Sequence, residues 1–244
     1  MSTTARTQWL FRVRDDARLR LFCLPFAGGG STAFTAWKTQ MPRDVDVCPV
    51  LLPGRESRLR EPAIRDMTEL VGRLADGLQD LLDRPYALLG YSFGSTVAFE
   101  LIRELRRRGR PLPLRLLVAS RHAPHYPEPA PISHLPGDAF VAALQARYNA
   151  IPAQILADRE LMAMFVPVLR ADFALLEGYR LRPEDPLPTP IAAWYGADDR
   201  TLTRERVEAW GAHTSAAFEL HEVAAGHFFH ADPRLLQAVA DRLR

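Results

Sequence analysis

Along the chain, short and mostly apolar runs alternate with longer stretches in which apolar positions return every three or four residues. Residues 19–24, 45–51, 86–89, 115–119, 191–195 and 218–222 form the first kind, most of them bounded by glycine or proline. Strands that are apolar on both faces belong in a sheet covered on both sides, as parallel sheets are. Residues 67–82, 93–108, 203–213 and 233–243 form the second kind and predict amphipathic helices. Strands and helices alternating in this way define an α/β class, with a mostly parallel central sheet flanked by helices.

The stretch 122–188 departs from that rhythm. It opens with a proline-rich loop over 122–136, carries helical patterns over 138–147 and 158–176, and returns through Pro183, Pro186, Pro188 and Pro190. A segment with so few strand signals is too small to build an independent core. We therefore expect a single domain over 1–244 with 122–188 as a helical lid above the sheet.

Composition then removes whole classes. With 48% hydrophobic and 25% charged residues in a chain of 244, disordered and fibrous proteins are excluded. The net charge of +2 supplies no general attraction to nucleic acid or to membranes. Residues 1–16 set Arg6, Arg12, Arg14, Asp15 and Asp16 around a short apolar patch, which is not the h-region of a secretory signal. Residues 21–37, the longest uncharged stretch, are interrupted by Pro25 and by Gly28 to Gly30, where a membrane span needs an unbroken apolar helix. A cytoplasmic protein is expected. Cys23 and Cys48 lie in apolar runs and read as buried free thiols, not as a disulfide framework.

The chemistry begins at Gly90-Tyr91-Ser92-Phe93-Gly94, which follows one strand and opens a helix. A GxSxG motif in that context is a nucleophile elbow, a turn too tight for side chains beside the serine. The rival, an N-capping serine in an ordinary βα turn, has no need of both glycines. A serine hydroxyl needs a base, and the base needs an orienting acid. In chain order the acid comes next and the histidine last. Asp198 and Asp199 follow the strand at 191–195, and either can serve; Asp199 is preferred because Gly196, three residues earlier, permits the turn back toward the histidine. His227 follows the last strand and is the preferred base, with His230 its competitor. A metal site built on His227 and His230, or on His122 and His125, lacks a third ligand at the usual spacing. No cofactor is expected. The oxyanion needs two backbone donors, one directly after the nucleophile, at Phe93, and one in the loop after an early strand, for which Ala27 is the choice. Gly28 to Gly30 could instead cradle phosphate, but the Lys-Ser/Thr pair of a P-loop and the GxGxxG pattern are both missing.

Taken together, Leu24 to Gly29, Pro53-Gly54-Arg55, Gly90 to Ser95, Gly196 to Asp199 and Gly226 to Phe229 resemble the type II thioesterases that accompany polyketide and nonribosomal peptide synthases, a branch of the α/β-hydrolase superfamily. The resemblance spans nearly the whole chain. It implies Ser92, Asp199 and His227 as the triad, Ala27 and Phe93 as oxyanion donors, and a mobile helical lid. It also implies a monomer whose partner is an acyl or peptidyl carrier protein bearing an acyl group on phosphopantetheine. Alternatives are a medium-chain fatty acyl thioesterase, a stand-alone carboxylesterase and a non-catalytic carrier-protein-binding scaffold. For an acidic partner, Arg103, Arg106, Arg107, Arg108, Arg110 and Arg115 gather near one helix end, where a solvated C-terminus is the preferred reading, whereas for Arg55, Arg58 and Arg60 the docking and plain surface readings stand level. Phe140, Tyr148, Phe165, Phe173 and Tyr179 read as lid core more than as acyl pocket.

Overall fold

The computed structural model describes residues 8–149 and 151–244, so the first part of the N-terminal stretch, residues 1–7, lies outside the described residues. Six strands, β1 (Leu19–Leu24), β2 (Val45–Pro49), β3 (Tyr86–Tyr91), β4 (Leu116–Ala119), β5 (Ile191–Gly196) and β6 (Phe218–Val223), form one sheet in the order β2-β1-β3-β4-β5-β6. Every neighbouring pair is parallel. All six runs of the sequence are strands, and β1 to β5 are buried on both faces. The edge strand β6 is mostly half-buried and carries Glu219, His221 and Glu222.

The helices are α1 (Trp37–Gln40), α2 (Met67–Leu78), α3 (Phe93–Arg107), α4 (Gly137–Tyr148), α5 (Ala153–Leu156), α6 (Arg159–Gly178), α7 (Arg204–Glu208) and α8 (Pro233–Arg242). Alternate residues of each strand feed different cores. Phe22 and Leu24 of β1 pack with Leu74 of α2 and Ile102 of α3, whereas Leu21 and Cys23 pack on the other face with Trp37 of α1 and Val239 of α8. Asp66, Asp158, Thr203 and Asp232 cap α2, α6, α7 and α8 by accepting first-turn amides. The stretch 203–213, expected as one helix, is α7 followed by a 3-10 turn over Ala209–His213. The four-residue α1 was not expected. Four residues show no helical period, and this turn is anchored by the fully buried Trp37.

Between β4 and β5 the chain leaves the sheet as α4, α5 and α6, with a small core of their own around Phe140, Leu144, Leu169 and Phe173. The order β2-β1-β3 places a topological switch between β1 and β3, whose connections leave in opposite directions. In open α/β sheets such a crevice, at the carboxyl ends of the strands, is where ligands bind. Leu24, the last residue of β1, pairs with Gly90, so the loops carrying Ala27 and Ser92 emerge side by side there.

Candidate active site

Ser92 stands at the tip of the turn from β3 into α3 with φ 51° and ψ −113°, a left-handed backbone that a non-glycine residue adopts only when its surroundings impose it. The flanking glycines are required by close approach. A Cβ on Gly90 would lie 2.3 Å from Ser95 Cα, and one on Gly94 would lie 2.1 Å from the carbonyl oxygen of Leu24. The turn thus presses against β1, and Ser95 Oγ ties it further by donating to the Gly90 carbonyl at 2.7 Å.

Ser92, His227 and Asp199 form one hydrogen-bonded chain. Ser92 Oγ lies 3.1 Å from His227 Nε2, and His227 Nδ1 lies 2.7 Å from Asp199 Oδ2. The second carboxylate oxygen accepts from the Thr201 amide at 2.9 Å and the Thr201 hydroxyl at 2.6 Å. Burial works against ionisation of Asp199, yet the hydrogen bonds and charge of His227 and the bonds from Thr201 outweigh it and hold the carboxyl below its usual range. Asp198 is exposed, whereas Asp199 is buried. The turn begins at Gly196, where the Asp199 amide donates to the Gly196 carbonyl at 3.1 Å, and the glycine meets a second need: a Cβ there would lie 2.2 Å from the Gly226 carbonyl oxygen, so it lets the acid and histidine loops close on each other. His230 sits among Phe26, Tyr91 and Phe228, its buried Nδ1 has no hydrogen-bond partner among the described residues, and burial lowers its pKa.

Two further residues hold this chain in place. Tyr91 Oη donates to the His227 carbonyl at 2.6 Å and accepts from the Phe229 amide at 2.7 Å, and Ser120 Oγ lies 2.7 Å from the same carbonyl. The His227 loop is therefore fixed from the strand that carries Ser92. Arg121, beside Ser92, donates to Thr96 Oγ1 at 3.0 Å and pairs with the buried Glu128 at 2.7 Å. Burial pushes the Glu128 pKa up, but the charge and hydrogen bond of Arg121, with His122 nearby at 3.7 Å, bring it down to about 2. These residues carry no motif of their own. The only sequence signal for Tyr91 is its place inside the elbow.

The Ala27 amide makes no backbone hydrogen bond among the described residues, and Ala27 lines the space above Ser92. Phe93 begins α3, directly after the serine. Both amides are therefore placed at the helix N-terminus and loop where negative charge is favoured. That space is only about 20 Å³. It is roofed by Tyr148 of α4 and by Leu169, Phe173 and Leu176 of α6, with the Tyr148 ring 4.9 Å from the His227 ring. Tyr148 and Phe173 thus serve both insertion core and pocket, Phe140 is core alone, and Tyr179 turns away to Glu100. The arginines at the end of α3 are engaged internally: Arg103 with Glu100, Arg106 with Glu184, Arg107 with Glu104 and Glu184, and Arg108 with Glu104 and Asp76. Arg58 is buried against Glu61 and stacks over Trp9, and Arg55 is buried against Asp172, so of that trio only Arg60 faces solvent.

The thioesterase domain family matches residues 19–244. Gramicidin S biosynthesis protein GrsT of Aneurinibacillus migulanus is 37% identical over 218 residues, covering 89% of this chain and 85% of that protein. RedJ, the thioesterase from the prodiginine biosynthetic pathway in Streptomyces coelicolor, superposes with a TM-score of 0.87 at 36% identity over 92% of this chain and 85% of its own. The type II thioesterase BorB from the borrelidin biosynthetic cluster gives 0.85 at 33% identity over 99% and 98%. The fold is that of thioesterases of the α/β-hydrolase type. The chain belongs to the thioesterase domain family. Among the described residues, no helix is long and apolar enough to cross a membrane.

Proposed function

We propose that this chain is a serine thioesterase that hydrolyses acyl groups from the phosphopantetheine arm of acyl or peptidyl carrier proteins, clearing aberrant or stalled units in polyketide or nonribosomal peptide biosynthesis. The observation that carries the reading is the unbroken relay from Ser92 Oγ to His227 Nε2 at 3.1 Å and from His227 Nδ1 to Asp199 at 2.7 Å. His227 takes the Ser92 proton as Oγ attacks the thioester carbonyl. Asp199 keeps the imidazole in the tautomer that presents Nε2 and stabilises the imidazolium that forms. The amides of Ala27 and Phe93 receive the oxyanion. The tetrahedral intermediate collapses with cleavage of the C–S bond, and the pantetheine sulfur takes the proton back from His227 and leaves as the thiol, so that an ester on Ser92 and a neutral imidazole remain. Water, deprotonated by His227, then releases the acid.

Support for the carrier-bound substrate comes from the relatives. GrsT and BorB are named for antibiotic biosynthesis, and BorB is a type II thioesterase. The space of about 20 Å³ above Ser92 holds no acyl chain, so residues 122–188, which supply much of its roof, act as a lid that must lift. The test is hydrolysis of an acyl-phosphopantetheinyl carrier protein beside the matching acyl-N-acetylcysteamine and a p-nitrophenyl ester. We expect the carrier-bound group to be cleaved fastest and Ser92→Ala to abolish turnover. Preference for the free ester would make the protein a carboxylesterase instead.

A further inference from the structure

Asp172 is a carboxylate on the apolar face of α6, in step with Phe165, Leu169 and Leu176, and it is 2% exposed. Its partner is the arginine of Pro53-Gly54-Arg55. Arg55 Nη2 donates to Asp172 Oδ1 at 2.8 Å and Nη1 to Oδ2 at 2.9 Å, a bidentate pair closed off from water. The pair does not float in the core. Asp172 Oδ2 also accepts the Gly28 amide at 2.8 Å, and Arg55 Nη1 donates to the Gly29 carbonyl at 3.0 Å. Next along the chain, Glu56 accepts from Ser31 Oγ at 2.6 Å and from the Thr32 amide at 3.2 Å.

What these groups grip is the loop that carries Ala27. The Gly29 amide donates to the Phe26 carbonyl at 2.8 Å, and Gly28 has φ +72° while Ala27 does not lie at positive φ. That is a type II turn over Phe26 to Gly29, and Gly28 N–H belongs to its central peptide. In a type I turn the central peptide is reversed and would set a carbonyl oxygen against the Asp172 carboxylate. The accepting carboxylate therefore selects one of the two turns. The roof helix also rests directly on this turn, since a Cβ on Gly28 would meet Leu169 Cδ2 at 2.7 Å.

We infer that Asp172, held by Arg55, is a positioning residue that sets the oxyanion loop, so that the roof helix α6 and the Ala27 donor are placed together. The inference rests on the thioesterase reading, because Ala27 is a donor only if an oxyanion forms at Ser92. It predicts that seating of α6 is felt in the rate of the chemical step and not only in substrate entry.

The test compares wild type, Asp172→Asn and the double variant Arg55→Met/Asp172→Leu. Removing one partner strands a buried charge, whereas replacing both with apolar residues commonly leaves folding intact. The double variant is expected to lower kcat about a hundredfold on an acyl-phosphopantetheinyl carrier protein with KM unchanged, the size of effect that misplacing a catalytic group produces. Affinity for an alkyl boronic acid, which becomes a tetrahedral anion on Ser92, should fall in parallel, while affinity for a non-hydrolysable thioether analogue stays. Asp172→Asn keeps an oxygen for the Gly28 amide and should recover part of kcat. If either variant folds and keeps wild-type kcat and boronate affinity, or loses rate through KM alone, the inference is overturned. Failure of the thioesterase reading itself would show differently, as a wild type that neither turns over nor binds the boronate.

Discussion

The two halves of α6 are built to different standards. From Val168 onward the helix is buried: Leu169, Asp172 and Phe173 are at most 5% exposed, and Glu177 accepts the amides of Ile132 and Ser133. Before Pro167, which lies inside the helix, no residue from Arg159 is buried, and Leu161 and Met164 are 42% and 44% exposed. Proline removes one helical hydrogen bond and weakens the rod at that point. Segments with few buried apolar contacts open at the lowest cost. Under the proposed function, opening therefore begins at α5 and the first half of α6, and the second half, which carries Leu169, Phe173 and Leu176 of the roof over Ser92, lifts after it. The first half lies over a groove of about 320 Å³ lined by Ile155, Leu161, Met164 and Phe165 on one side and Gly28, Arg55 and Leu59 on the other.

The contrast is broken most directly by paired truncations. Phe173→Ala should lower unfolding free energy by about 3–5 kcal/mol, as large core aromatics do, whereas Leu161→Ala should stay within about 0.5 kcal/mol; equal losses in chemical denaturation would erase the distinction. A smaller effect is expected from acid. Glu128, under α4, has its pKa held at about 2 against an ordinary 4.5, so the stability it contributes is complete above about pH 4.5 and is lost as pH falls toward 2. Glu128→Gln should flatten the pH dependence of the thermal midpoint across that window; an unchanged slope would remove the Arg121 pair as its cause. Smaller still, Pro167→Ala should raise stability by about 1–2 kcal/mol, the helix cost of proline being partly offset by the unfolded-chain entropy it removes. Turnover of carrier-bound substrate should fall at the same time, and a faster Pro167→Ala enzyme would show that the break does not serve opening.

The same division separates what the sequence makes legible from what it hides. Most strands are legible because burial on both faces writes them as short, mostly apolar runs, and the elbow because its glycines follow from close approach to Leu24 and Ser95. Ser92, Asp199 and His227 could be nominated from their slots after β3, β5 and β6, since the topology alone brings those strand ends to one edge. The turn at Gly196 that favours Asp199 over Asp198 is present, and the close approach of Gly226, which also requires the glycine, has no sequence signal. Long-range polar pairs leave no such trace. Arg55 and Asp172 are 117 residues apart, and reading Arg55 as a surface candidate missed a partner that periodicity cannot supply. One signal was available: an aspartate where the apolar face of α6 calls for a leucine. Likewise the arginines ending α3, for which a solvated helix end is the preferred reading of the sequence, are engaged by Glu100, Glu104 and Glu184, partners that the sequence does not mark.

The central claim is that Ser92 carries the acyl group, and the most direct measurement is capture of that ester. Rapid mixing with an acyl-phosphopantetheinyl carrier protein, acid quenching, intact mass and peptide mapping would read it. The account predicts an added acyl mass confined to the peptide containing Ser92 in the wild type and absent from Ser92→Ala. An acyl adduct on another residue, or hydrolysis at the wild-type rate by Ser92→Ala, would contradict it.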